Sequence, residues 1–409
     1  MFRDVDDYFR RIDRELTESQ WDNAIVIANL LKLDDDHAKL PFLHREEHGV
    51  KNRRTELCDE DIDELVCLHM KVLYQVHQSN DLVAAQSTQV SMIQYFNKEI
   101  LQKRKDENWF LPIFYQLCTD LRFLSNAADE GNSGDDEGET STSLMESAAS
   151  CIMECYRTCV SDVRADIRNT KKKAMLNMTN QLFRIYFKIN KLNLLKPLIR
   201  AIDNCGELYN HFLMADKVAY NYYLGRKAMF DADLNLSEKS LLYAFRNCPR
   251  ESMSNKRKVL IYLIPVKMFL GHMPSEQLLH DYQLDEFREV VIAVKEGNLA
   301  RLDAALSKNE TFFIRCGIFL MLEKLRMITF RTLFKKVSSI IGTHQIPLEA
   351  FQTAVKFVGV DDVDTDELEC IIANLIATKK IKGYISHAHG KLVIAKTNAF
   401  PTLSTIAAT

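Results

Sequence analysis

The hydrophobic period of this chain changes near its C-terminal end, where helical spacing gives way to an alternating pattern. Three helical stripes precede the change. Their apolar members are Phe330, Leu333, Phe334, Val337, Ile340 and Ile341 in the first, Leu348, Phe351, Val355 and Val358 in the second, and Leu368, Ile371, Ile372, Leu375 and Ile376 in the third. Alternation follows over Ile381–Ser386 and Lys391–Ala395, around a turn that ends at Gly390. Three helices followed by a β-hairpin predict a winged helix over residues 329–396.

Residues at the ends of these stripes support the same assignment. Gly342 closes the first helix, and Pro347 opens the second, because proline is favoured in a first helical turn. Asp364 stands at the N-cap position of the third helix, with Glu367 three residues later, which is the spacing of a capping box. The third helix is therefore expected to bury one face.

Charges divide sharply within the predicted winged helix. Acidic residues crowd the start of the third helix, namely Asp361, Asp362, Asp364, Asp366, Glu367 and Glu369, and the lysines Lys379, Lys380, Lys382, Lys391 and Lys396 follow with no acid after Glu369. Because base reading normally uses the N-terminal part of a recognition helix, these carboxylates disfavour sequence-specific DNA binding. Two interpretations stay open for the lysines: they complement the helix dipole and solvate the surface, or they bind nucleic-acid phosphates without reading sequence.

Composition limits what the rest of the chain can be. The 409 residues include only 13 glycines and 8 prolines, which favours long helices over a turn-rich β protein. The net charge of −3 confines any nucleic-acid binding to a local surface. We expect a soluble intracellular protein with reduced cysteines and no membrane contact, since the N-terminal residues lack a signal-peptide core and no apolar run approaches a membrane span.

Two patterns were considered as metal sites. Cys151, Cys155 and Cys159 share one helical stripe, which favours packed thiols over a zinc site because zinc-binding cysteine pairs are usually more closely spaced and are completed elsewhere. The segment His44–His48 matches the H-x-x-E-H pattern of zinc peptidases, with His44, Glu47 and His48 as the chemical groups, but Pro41 and Gly49 bracket too short a helix. We therefore expect no metal, no cofactor and no catalytic residue.

The helical patterning divides the chain into five regions. We predict N-terminal helical hairpins over residues 1–126, an acidic disordered insertion over 127–143, helical repeats over 144–328, the winged helix over 329–396 and a tail over 397–409. Leu224, Gly225, Ala244 and Pro249 fall at tetratricopeptide spacing, and Asp285–Ala305 forms a second helix pair that turns at Gly297 and Asn298. Residues 312–325 are expected to run as one apolar helix into the winged helix. The predicted fold class is all-α, a TPR-like solenoid that ends in a winged helix with a small β-hairpin.

This architecture resembles the PCI domain family, whose members join helical repeats to a winged helix. The resemblance is strongest in five segments: Gln181–Leu192, Tyr223–Asp231, Leu260–Pro274, Phe312–Leu320 and Gly383–His387. It extends from about Trp109 to the end of the chain, and it is closest to the PCI subunit of the TREX-two type transcription-export complexes.

The resemblance implies a non-enzymatic scaffold subunit that acts in mRNA export in the nucleus, at the nuclear pore, with a cytoplasmic pool also considered. Its implied partners are a large scaffold subunit of the germinal-centre-associated nuclear protein type and a small acidic subunit of the Sem/DSS type. It also implies a basic surface for RNA or DNA backbones, and the basic positions that stand here are Lys335, Lys336, Lys379, Lys380, Lys382 and Lys391.

For the acidic subunit, two basic runs on the predicted solenoid offer complementary charge. These are Lys171, Lys172 and Lys173, and Lys256, Arg257 and Lys258. The alternative function is a purely structural PCI subunit of another assembly, proteasome-lid-like or signalosome-like, that does not bind nucleic acid. A metal-dependent hydrolase built on His44, Glu47 and His48 is a third hypothesis.

Overall fold

The computed structural model describes residues 2–44, 56–132, 144–164, 166–361 and 363–406. The chain divides into two compact units, residues 1–220 and residues 221–409. Within the described residues, no helix combines the length and the apolar character that spanning a membrane requires. Both units are built mainly from helices, as the scarcity of glycine and proline predicts.

The first unit consists of helices that pack against one another. Their bounds are α1 Val5–Leu16, α2 Trp21–Leu30, α3 Glu60–His77, α4 Leu82–Tyr95 with a π-helical continuation over Phe96–Leu101, α5 Leu111–Asn132, α6 Leu144–Val160, α7 Met175–Lys188, α8 Leu195–Asp203 and α9 Leu208–His211. Aspartates start several of them, because an Asp side chain at the N-cap accepts from a free backbone N–H of the first turn: Asp59 accepts from Ile62 and Asp81 from Ala84.

The helix α5 extends into the region predicted to be a disordered insertion. It continues to Asn132, and Ala128 is buried. The carboxylate of Asp129 accepts from the backbone N–H groups of Leu144 and Met145, at 3.0 and 3.2 Å, so it caps the start of α6. The predicted boundary at residue 127 is therefore too early, because a residue that looks like linker composition serves as a cap. Residues 133–143 lie outside the described residues.

The helix α10, Met214–Phe230, contains the boundary between the units, and the second unit continues from it. The following helices are α11 Leu234–Asn247, α12 Met253–Phe269, α13 Glu276–Asp281, α14 Arg288–Glu296, α15 Leu299–Lys308, α16 Glu310–Cys316, α17 Phe319–Glu323, α18 Leu325–Ile341, α19 Leu348–Phe357, α20 Thr365–Ala377 and α21 Leu403–Ile406. The strands are β1 Gln345–Pro347, β2 Gly383–Ser386 and β3 Lys391–Ile394.

Both predicted repeat pairs are helical hairpins. In the first, a Cβ on Gly225 would stand 2.6 Å from the Leu241 side chain, and the Ser237 hydroxyl donates to the Gly225 carbonyl at 2.8 Å. The small residue therefore lets α10 and α11 approach closely. In the second, α14 ends at Gly297, and Asn298 caps α15 by accepting from the Arg301 N–H at 2.9 Å.

The expected continuous helix over residues 312–325 is wrong. The helix α16 ends at Cys316, Gly317 adopts a left-handed conformation, and α17 and α18 follow as separate helices. Hydrophobicity alone could not reveal this break in the helix, because the residues of a short turn can be as apolar as those of the helices on either side. The first helix of the winged domain accordingly begins at Leu325, four residues before the predicted boundary.

The winged helix forms as predicted. Helices α18, α19 and α20 enclose one core with the sheet, whose strand order is β1-β3-β2 with antiparallel pairing throughout. Leu299 of the last repeat pair belongs to this same core. The predicted tail is also structured over its described part, since the Lys382 N–H donates to the Ala399 carbonyl at 2.8 Å and Leu403 is buried.

Candidate partner and nucleic-acid interface

The third helix of the winged domain, α20, starts as the capping pattern predicts. The Asp364 carboxylate accepts from the Glu367 N–H at 2.7 Å. Asp366 and Glu367 are exposed in the first turn, where the positive end of the helix dipole favours acids. Asp362 lies outside the described residues. The exposed start of this helix is acidic, which is unfavourable for contact with phosphates.

The turn of the wing lies against the acidic part of α20. The His387 imidazole lies 2.9 Å from the Glu369 carboxylate, an ion pair whenever the histidine is protonated. This contact places a carboxylate at the tip of the hairpin. The tip is therefore less positively charged than the lysine count of the wing suggests.

The lysines after α20 occupy the other end of the hairpin. Lys379 and Lys382 are exposed, and Lys379 turns the chain out of the helix with a positive φ of 58°. Lys380 is half-buried, and burial, with a further contribution from the nearby Arg331 charge, lowers the pKa of its ammonium. The backbone of Lys382 is fixed on both sides, because its carbonyl accepts from the Ala395 N–H at 2.8 Å while its N–H donates to Ala399.

A buried arginine that the sequence reasoning missed joins these lysines to α18. The Arg331 guanidinium donates to the Lys380 carbonyl at 3.1 Å and to the Pro401 carbonyl at 2.6 Å. Lys335 lies four residues further along α18 and is exposed, so it stands about one helical turn, roughly 6 Å, from Arg331 on the same side. We call Lys335, Lys379, Lys380 and Lys382 the junction lysines. The sequence offered no signal that distinguished Arg331 from Arg326, Lys335 and Lys336 of the same helix.

Two of the predicted nucleic-acid positions lie elsewhere. Lys391 pairs with Ser386 at the tip of the hairpin, whereas Lys382 lies opposite Ala395, so about four strand residues, roughly 13 Å, separate them along β3. The Lys336 ammonium donates to the Glu296 carbonyl at 2.9 Å, at the end of α14. Lys379, Lys380 and Lys382 therefore follow one another at the Arg331 contact, with Lys335 one turn along α18 from Arg331, whereas Lys391 and Lys336 lie elsewhere.

Large apolar side chains are exposed on the winged domain. Phe357 at the end of α19 is 89% exposed, and Ile340 near the end of α18 is 84% exposed. Tyr384 on the edge strand β2 is 62% exposed. Ile340 belongs to the apolar stripe predicted for the first helix, but it lies outside the core, which Val337 and Ile341 contact at this end of α18. A contiguous patch of such side chains on a folded domain marks a surface for a partner.

The basic runs proposed for the acidic subunit are partly internal. Lys171 is buried, its ammonium donates to the Leu101 carbonyl, and burial lowers its pKa. Lys256 is also buried and donates to the Phe245 carbonyl at 3.0 Å. Both predictions of a surface role are wrong for the same reason: a lysine ammonium next to an apolar helix end satisfies a buried carbonyl that no backbone N–H reaches.

The other members of these runs differ in accessibility. Lys173 donates to the Arg168 carbonyl at 2.6 Å, and Arg257 donates to the Gln283 carbonyl at 3.2 Å while lying 3.7 Å from Glu286. Lys172 is half-buried and Lys258 is exposed. The accessible positive charge of the second run is therefore reduced to Lys258 and part of Arg257.

The residues of the two metal-site patterns are packed or hydrogen-bonded within the fold. Cys151, Cys155 and Cys159 are buried, and burial raises the pKa of the Cys159 thiol to about 12. His44 stacks on His77 and forms hydrogen bonds through both ring nitrogens, to the Ala38 carbonyl and the Gln78 amide, while Glu47 and His48 lie outside the described residues. Within the described ranges, no three His, Cys, Asp or Glu side chains are placed to hold a metal ion.

Comparison with known proteins places this architecture in a family. The PCI domain model matches residues 306–396, which span the winged helix and the helices just before it. The chain is 70% identical to "PCI domain-containing protein 2 homolog" of Caenorhabditis elegans, over 98% of each protein. It is 51% identical to "PCI domain-containing protein 2" of Danio rerio, over 93% of this chain and 94% of that protein. A more distant match, at 29% identity over 72% of this chain and 73% of that protein, is "Protein CSN12 homolog" of Neurospora crassa.

Proposed function

The chain belongs to the family of PCI domain-containing protein 2, and from that premise we propose that it is a scaffold subunit of a nuclear transcription-export complex of the TREX-two type. In this proposal its winged helix pairs with a large PCI-type scaffold subunit, and a small acidic subunit completes the assembly. The complex acts in mRNA export at the nuclear pore. The subunit contributes binding surfaces and no catalysis.

The observation that carries the scaffold role is the exposure of Phe357 and Ile340 on the winged domain. Fully burying a side chain of this size contributes about 1.5–3 kcal/mol. A partner that covers both would gain several kcal/mol from two side chains, which is the usual pattern of a few dominant apolar contacts within an interface. The free edge of β2, beside the exposed Tyr384, adds backbone groups that a partner strand can pair with.

Co-purification tests this pairing. Phe357→Asp and Ile340→Asp should each weaken binding to the large scaffold subunit by about tenfold or more, because an exposed apolar contact becomes a desolvated charge. The control is Ile25→Asp, which changes a 42% exposed isoleucine of the first unit in the same way. Undiminished binding by both winged-domain variants would remove this surface from the proposal.

The second part of the proposed function is RNA binding by the junction lysines. Lys335, Lys379 and Lys382 are exposed, whereas Asp364, Asp366 and Glu367 lie at the start of α20 and Glu369 lies at the wing tip. Contacts of lysine with phosphates depend on charge and carry no base information. With about three phosphate contacts, log affinity should fall with log salt at a slope near roughly −2 for single strands.

The lysine variants have a matched control within the wing. In the assembled complex, Lys335, Lys379 and Lys382 changed together to Ala should weaken RNA binding equally for all sequences and flatten the salt slope. Lys391→Ala should leave the RNA affinity and the salt slope nearly unchanged, since Lys391 lies at the acidic tip of the hairpin. A salt slope that stays the same in the triple variant contradicts RNA binding at this surface, and sequence-dependent losses would indicate base reading.

A second candidate function is supported by the similarity to a protein named for a CSN assembly. In that case the chain would be a structural PCI subunit of a signalosome-like particle, without an RNA surface. Purifying the tagged full chain from nuclei and identifying the proteins that co-purify distinguishes the two candidate functions. Recovery of nuclear-pore and export proteins supports the first proposal, and recovery of signalosome subunits without salt-sensitive RNA supports the second.

A further inference from the structure

The first unit contains a cavity that the scaffold role does not use. Its volume is about 400 Å³, and it lies between the end of α6, the loop that follows, the start of α7 and the α8–α9 connection. Its lining includes the apolar side chains of Val160, Ile167, Met175 and Leu208. Arg164 and Lys172 also line it. An apolar lining with two cations is typical of small-ligand sites, which combine apolar residues with a few placed polar groups.

Asp162 orients Arg164 but has little capacity left to neutralise this wall. Its Oδ1 accepts from the Arg164 Nε at 3.2 Å. Its Oδ2 accepts from the Thr170 hydroxyl at 3.0 Å and from the Lys171 N–H at 2.7 Å. The carboxylate is therefore already engaged by donors on both oxygens. It fixes the Nε edge of the guanidinium and leaves the two terminal nitrogens for another acceptor.

Those terminal nitrogens are the unexplained feature. Nη1 and Nη2 of Arg164 are buried and have no hydrogen-bond partner. Leaving the donors of a charged group buried without an acceptor is unfavourable, and such groups in native proteins usually serve a bound water, an ion or a function.

The charge around Arg164 increases this imbalance. Buried Lys171 lies close enough for the Arg164 charge to lower the pKa of its ammonium, after the larger effect of burial. Lys172, half-buried in the cavity wall, has no ion pair among the described residues. Arg164 and Lys171 thus lie near the Asp162 carboxylate, Asp106 also acts on Lys171, and Glu207 is exposed in the lining. The cavity wall carries excess positive charge, which favours an anion.

We propose that this cavity binds the phosphate group of a small organic phosphate, with Arg164 and Lys172 as its donors. A phosphate dianion offsets both cations, and its oxygens match the paired N–H groups of a guanidinium. The apolar wall holds the organic part of the ligand. Because Nη1 and Nη2 are closed off from water, the guanidinium must turn toward the cavity on binding, and its Nε contact with Asp162 provides the pivot.

Calorimetric titration of the full chain with adenosine monophosphate tests the proposal, with inorganic phosphate as a competitor and adenosine as the uncharged analogue. Arg164→Gln should lower the affinity for adenosine monophosphate by about tenfold or more, since it removes charge-assisted hydrogen bonds. The matched control is Arg168→Gln, an exposed arginine of the same loop that does not line the cavity. Inorganic phosphate should displace the nucleotide from the wild type.

Three results would overturn the proposal. These are no binding of either phosphate to the wild type, equal nucleotide affinity in the wild type and Arg164→Gln, and adenosine binding as tightly as its monophosphate. If Arg164→Gln does not fold, Lys172→Gln is judged by the same criteria, because it leaves the Arg164–Asp162 contact intact. Phosphorus NMR of the bound nucleotide then provides an independent readout of contact at the phosphate.

Discussion

Replacing Gly297 with Ala tests how the last helical repeat is joined to the winged domain. Gly297 ends α14 with a φ of +72°, and an added Cβ would lie 2.7 Å from the Leu333 backbone nitrogen and 2.9 Å from its Cα. Backbone atoms in the middle of α18 cannot rotate away as a side chain can. The substitution must therefore push α14 and α18 apart, and we expect it to loosen the contact between the repeat and the winged helix.

The magnitude follows from a comparison with Gly342, which ends α18 with the same φ of +72° but has no atom within 4 Å of an added Cβ. Gly342→Ala should cost only the left-handed conformation, about 1–2 kcal/mol. Gly297→Ala should add about 1–3 kcal/mol of overpacking, for a total of about 2–5 kcal/mol. The difference between the two variants isolates the close contact, because the backbone conformation is matched.

Hydrogen exchange of the α18 amides measures this difference locally, which suits a chain of two units better than a single unfolding midpoint. The exchange of these amides should be accelerated about fivefold to about 150-fold more in Gly297→Ala than in Gly342→Ala. Equal acceleration in the two variants would refute the reasoning. It would show that α14 and α18 can separate without cost, so that the repeat and the winged helix are not rigidly joined.

Two further predictions concern buried charges. Burial raises the pKa of Asp120 to about 7, so between pH 4 and 7 the folded chain holds a proton that the unfolded chain has released, and stability should fall as pH rises through this window. Asp120→Asn should remove this dependence of stability on pH and stabilise the first unit at pH 8 by at most about 4 kcal/mol. Urea denaturation at several pH values measures both effects. If the stability of the variant still falls as pH rises, Asp120 is not the group responsible. Arg331→Met should leave the Lys380 and Pro401 carbonyls without their donor and destabilise the winged domain by about 2–4 kcal/mol. Hydrogen exchange of the Lys382 amide should then be faster than in the wild type. Unchanged exchange of this amide would show that Arg331 does not hold the tail.

The sequence by itself determined the local elements, because helix periodicity, capping and turn residues act within a few positions of one another. The capping aspartate Asp364, the helix end at Gly342 and the hairpin after Lys380 were all predictable for this reason. The same local rules identified the two helix pairs at Gly225 and Gly297. Family resemblance then connected these elements into the helical-repeat and winged-helix architecture that the structure has.

The tertiary structure alone decided which charged and apolar side chains reach the surface. Lys171 donates to Leu101, 70 positions earlier, and Arg331 donates to Pro401, 70 positions later, so no local pattern could separate these cations from exposed ones such as Lys379. Ile340 continues an apolar stripe in sequence but is exposed, whereas the next residue, Ile341, packs against the core. Burial depends on what packs against a face, and periodicity reports only that the face exists.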